Sequence, residues 1–160
     1  MTIKALPTIS DQIYLQDLNE DVKAMEGGDC PRDEQAWVTV RQATESDAQR
    51  RASLVAKRRT ERSGDKVVEE WTDNVLEVYA TEVYSCLVDC GNILDAKDNP
   101  LFEFMDATNY QKVKGGYKKF RASYGDLPLC VTRAMRQAVL QLNPQWDWLT
   151  QLTEDEEGED

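Results

Sequence analysis

The sequence predicts a mainly α protein: a compact helical domain of about four helices with a short β element near residues 37–41. Three observations carry this. Apolar residues recur at three- and four-residue steps over long stretches, most clearly Trp71, Val75, Val78, Tyr79, Val83, Cys86, Leu87 and Cys90. Thr44-Glu45-Ser46-Asp47 sets a hydroxyl three residues before an acid, the signature of a helix start. Only Trp37-Val38-Thr39-Val40-Arg41 carries a strong strand signal, being β-branched and aromatic with alternating faces.

Taken in chain order, residues 1–34 are acidic and weakly periodic, with Ile13, Leu15 and Leu18 suited to a short strand or turn of helix, and read as a loosely attached arm. Gly27-Gly28-Asp29-Cys30-Pro31 punctuates its end. The helical domain then runs over residues 35–148. Its strand puts Val38 and Val40 on one face and Trp37, Thr39 and Arg41 on the other. A helix follows from Thr44 toward Arg59, with a thin stripe of Ala48, Ala52 and Val55 flanked by arginines. The longest helix covers Val67 to Cys90, stopped by Gly91-Asn92. A third begins near Asp106 and lines up Tyr110, Val113, Tyr117, Phe120 and Tyr124. Gly115-Gly116 interrupts it at a cost of about 2 kcal/mol relative to two alanines, so a break is expected there. The last helix, Leu127 to Asn143, turns Val131, Ala134, Met135, Ala138, Val139 and Leu142 inward and Arg133 and Arg136 outward. Asn143-Pro144 stops it, and Trp146 and Trp148 are expected to fold back on the core. Residues 149–160 form an acidic tail that cannot bury its charge and is expected to be disordered.

Charge narrows the function. A formal net charge of −11 and a pI near 4.5 repel polyanions, which speaks against nucleic acid and anionic membranes as partners. No apolar run approaches the roughly 20 residues that span a bilayer, and the first residues carry no leader pattern, so a cytoplasmic protein is expected. The chain contains no histidine, which removes the commonest general base. Four cysteines are read as free thiols, with Cys86 and Cys90 a half-buried structural pair on one helix face and not a zinc site. No cofactor, metal or catalytic residue is assigned. Glu82 and Asp89 fall inside the apolar arc of the long helix, and a rim position or internal ion pair is the expectation for each.

Two basic segments stand out. Lys112 to Tyr124 interleaves five basic residues with Tyr117, Phe120 and Tyr124, but helical spacing gathers the rings on one stripe. That is a core helix with a solvated basic face. The segment from Trp37 to Lys66 holds eight basic residues in an acidic protein. Arginine favours interfaces, and the thin alanine stripe buries little by itself, so Arg41, Arg50, Arg51, Arg58 and Arg62 are the expected partner-binding residues. Charge reversal at Arg51 and Arg58 is expected to cost partner binding and spare the fold.

A longer pattern runs through the same residues: WVTVRQATESDAQRR, then LEVYATEVYSCLVDCGNI, then NPLF, then LPLCVTRAMRQAVLQLNPQW. In this order and spacing, from Gln35 to Trp148, the chain resembles tail assembly chaperone-like proteins of long-tailed phages. The resemblance implies a non-enzymatic chaperone that binds the tape-measure protein or tail-tube subunits in the host cell cytoplasm during tail assembly. The basic helix itself leaves room for self-association, since a neighbouring copy's acidic arm would complement it. The alternatives are a minor structural virion protein of the tail or head–tail region, or a nucleic-acid-binding module.

Overall fold

The computed structural model describes residues 3, 7–60, 66–105 and 113–147, and of 56–60 and 66–74 the helical backbone alone. Among these residues the protein is mainly α with a small antiparallel sheet. Five helices occur: α1 (Glu20–Met25), α2 (Glu45–Thr60), α3 (Lys66–Cys86), α4 (Gly116–Gly125) and α5 (Leu129–Leu142). Three strands, β1 (Ile13–Tyr14), β2 (Trp37–Val40) and β3 (Leu87–Gly91), pair in the order β1-β2-β3.

The cap at Thr44 forms as the sequence predicts. Thr44 Oγ1 accepts from the Asp47 N–H at 3.3 Å, and Asp47 Oδ2 accepts from the Thr44 N–H at 2.8 Å, a reciprocal capping box at the start of α2. The face of α5 is equally legible: Val131, Ala134, Met135, Ala138 and Val139 are all buried. That face packs against α3, β2, α1 and the turn at Leu15–Asp17. The expected break at the glycine pair is the start of α4. Gly115 and Gly116 take φ of 94° and 80°, a region that side chains with a Cβ rarely enter. Upstream, Val113 sits in a β-bridge with Phe104 instead of continuing a helix. Phe120 then stacks between Phe102 and Tyr124, with centroids 5.2 and 5.3 Å away, so these rings belong to the core. Trp146 folds back as expected and is buried. The segment from Asp106 to Lys112, Trp148 and the acidic tail lie outside the described residues.

Two expectations are corrected. The long helix ends at Cys86, and Leu87 to Cys90 belong to β3. Register explains this: Val38 faces Cys90, Thr39 faces Asp89 and Val40 faces Leu87, with an irregularity that leaves Val88 unmatched. Pairing with β2 overrides a helical pattern that runs on through Leu87 and Cys90. Cys86 and Cys90 therefore share no helix face. Burial pushes both thiols up to about 12, and all four cysteines are free. Gly91, expected as a helix stop, instead lies across from Trp37, where an added Cβ would overlap the indole. Asp89 takes the rim position, exposed and accepting from the Cys90 N–H, with no ion pair among the described residues.

The second correction concerns the arm. Residues 8–15 run along β2: Gln42 N–H donates to Thr8 O at 2.9 Å, Ser10 N–H to Val40 O at 2.8 Å, and Leu15 N–H to Ala36 O at 3.0 Å. Leu15 is fully buried, and Val22 follows it into the core on α1, which Asn19 caps by accepting from the Asp21 and Val22 N–H groups. This stretch is part of the domain. No helix among the described residues is long and apolar enough to cross a membrane.

Candidate docking groove

Beneath the surface the helices are tied by buried charge. Arg41 donates to Asp47 Oδ2 at 2.8 Å, and both side chains are almost wholly buried. Burial alone would push the Asp47 carboxyl up; the Arg41 guanidinium and the Thr44 N–H outweigh it and hold the carboxyl below its usual range. On α3, Glu82 is completely buried between Arg51 of α2, 3.4 Å away, and Arg136 of α5, 3.5 Å away. Burial pushes the Glu82 carboxyl up, while Arg136 and Arg51 pull it back. The internal ion pair expected for Glu82 is thus present, with two cations instead of one.

Arg136 carries this cluster to the surface. Its guanidinium lies 3.9 Å above the Tyr79 ring, and Nη2 donates to Trp146 O at 3.2 Å. Beside it opens a groove of about 610 Å³ between α3, α4 and α5. Leu76, Tyr79, Tyr124, Leu127 and Leu129 supply its apolar surface, and Arg121, Arg133 and Arg136 its charge. Leu76 and Leu129 stay 49% and 61% exposed, a large value for leucine beside a cavity. Arg121 is held by Glu77, its Nε donating to Oε1 at 3.0 Å, while Tyr117 Oη donates to the other oxygen of the same carboxylate. Arg133 is exposed and makes no ion pair among the described residues. Burial pushes the Tyr124 phenol up to about 12, so it stays neutral near pH 7 and can take part in hydrogen bonds.

The arginines expected at an interface are placed very differently from one another. Arg41 and Arg51 are buried in the ion pairs just described and are unavailable to a partner. Arg50 is exposed, and its guanidinium reaches Ser85 Oγ at 3.5 Å without an ion pair among the described residues. The side chain of Arg58 and all of Arg62 lie outside the described residues. The physical reason for the correction at Arg41 is the short turn between β2 and α2, which sets Asp47, in the first turn of α2, 2.8 Å from the Arg41 guanidinium.

The groove's own residues were only partly visible in the sequence. Helical spacing puts Arg133 and Arg136 on the outer face of α5, but nothing local says that α3 and α4 rise on either side of them. Among the described residues, no group of three or more acids and cysteines is placed to hold a metal ion. No known protein family, curated protein or solved structure matches this chain.

Proposed function

We propose that this protein is a non-enzymatic assembly chaperone that docks a helical segment of a tape-measure or tail-tube protein during phage tail assembly. The observation that carries the reading is the groove between α3, α4 and α5, with exposed leucines on its surface and three arginines around it. A groove of this kind suits an amphipathic helix laid apolar side down. Its arginines favour a client helix with acids along its flanks, since planar guanidiniums pair carboxylates in two-pronged fashion. The resemblance from Gln35 to Trp148 supplies the class of client. A formal net charge of −11 favours keeping a chaperone bound to a long, aggregation-prone chain in solution.

Co-expression with the tape-measure protein and with the tail-tube subunit tests this. The expected result is retention of one of them on the tagged chaperone, with more of it in the soluble fraction. Retention of neither, with no gain in solubility, overturns the proposal. A chaperone is also expected to be missing from purified particles by mass spectrometry.

A further inference from the structure

We propose that residues 148–160 of the same chain occupy this groove when no client is bound. The inference rests on reading the groove as a docking surface, though not on which client it takes.

Position comes first. Trp146 is buried, and its carbonyl accepts from Arg136, a residue of the groove. The backbone therefore leaves the described fold beside the site. Thirteen further residues follow, which reach up to roughly 40 Å when extended.

Chemistry comes second. The segment reads WLTQLTEDEEGED: Trp148, Leu149 and Leu152 lead, and six acids follow at Glu154, Asp155, Glu156, Glu157, Glu159 and Asp160. The groove offers the complement, apolar surface at Leu76 and Leu129 and guanidiniums at Arg121 and at Arg133, which makes no ion pair among the described residues. The acids need no burial, because guanidiniums at a groove's rim meet them in solvent. Tethering also raises the local concentration to about the millimolar range, so even weak complementarity fills the site. A client must then displace the segment, which keeps the apolar surface covered until one arrives.

The test is NMR of the full chain without a client, compared with Arg133→Glu and with a variant carrying glutamine at Glu154, Asp155, Glu156 and Glu157. In the parent at low salt, amides of residues 148–152 should show order parameters above about 0.6, falling below that in either variant. The same fall is expected in about 1 M salt, where screening acts within about 3 Å. The amides of Leu129, Thr132 and Gln137 should shift when the four acids are neutralised. Indifferent groove amides, or a segment already below about 0.6 in the parent, overturn the proposal. Effects that grow with protein concentration also overturn it, because they place a second copy's segment in the groove. No client enters these measurements, so their failure is separate from failure to retain a tape-measure or tail-tube protein.

Discussion

Asn143 closes the domain across a hundred residues of chain, its Oδ1 accepting from the Ala43 N–H at 2.8 Å. Its Nδ2 donates to Arg41 O and Val139 O, both at 3.1 Å, and approaches Cys86 Sγ at 3.7 Å. One side chain, 1% exposed, thereby joins the end of α5 to the turn between β2 and α2 and to the last residue of α3. Asn143→Ala strands the partly buried Ala43 N–H and the buried Arg41 C=O together, and is expected to cost about 2–4 kcal/mol. Urea unfolding checks this, as a lower midpoint with unchanged slope. A loss under about 0.5 kcal/mol means that the bonds are replaced and the closure is not specific.

Neighbouring arginines on α2 should behave oppositely. Arg51 neutralises the buried Glu82, so Arg51→Glu sets two carboxylates together where one had two cations. The expected cost is about 3–5 kcal/mol, which approaches the whole stability of a domain this size. Arg50 is exposed and makes no ion pair among the described residues, so Arg50→Glu should change stability by less than about 0.5 kcal/mol. Thermal unfolding of the two variants separates a structural arginine from a surface one. Similar melting temperatures for both contradict the ion-pair reading. The sequence alone led to the opposite expectation for Arg51.

Acid stability should depend on Asp47. Its carboxyl is held below its usual range in the folded protein, against the push of burial, by Arg41 and Thr44. The folded state therefore binds this proton less readily than the unfolded chain does. The stabilisation is fully present above the unfolded value of about 3.9 and is lost as pH falls through the lower folded value. Asp17, paired with Arg32, acts in the same direction, but the pair is half-exposed and solvent screens it. Asp47→Asn should thus be less stable than the parent at neutral pH, with the gap closing below about pH 4. A gap that stays constant through the acid range shows that the residue matters for packing and not for charge.

How much of this was legible depends on whether the signal was local. The Thr44–Asp47 box, the inward face of α5 and the break at Gly115-Gly116 are all decided within a turn or two of chain, and each stands where the sequence puts it. Failures came where a distant partner decides. Val83, Cys86, Leu87 and Cys90 keep helical spacing, and only the presence of β2 makes the last two a strand. Leu15 and Val22 are isolated apolar residues in an acidic stretch, and their burial is set by α5 and β2. Arg41 and Arg51 look like surface cations because their counter-charges lie 6 and 31 residues away. The groove is the extreme case, since its walls come from three helices and no single segment announces it.

Arg133 is the residue on which function and stability should part. It is exposed on α5 beside the apolar surface of Leu129, so Arg133→Glu breaks no ion pair among the described residues. Stability should stay within about 0.5 kcal/mol of the parent. Docking of an acidic helix should suffer twice, through a lost charge-assisted bond and a new repulsion, for a combined loss of about 2 kcal/mol, or roughly thirty-fold in affinity. Leu129→Asp attacks the same surface through its apolar half and should weaken docking comparably, but with less sensitivity to salt. Co-purification of the tape-measure or tail-tube protein with each variant, alongside urea midpoints, reads both quantities. If both variants keep full client retention and unchanged midpoints, clients bind elsewhere, and the exposed face of α2 around Arg50 becomes the surface to test.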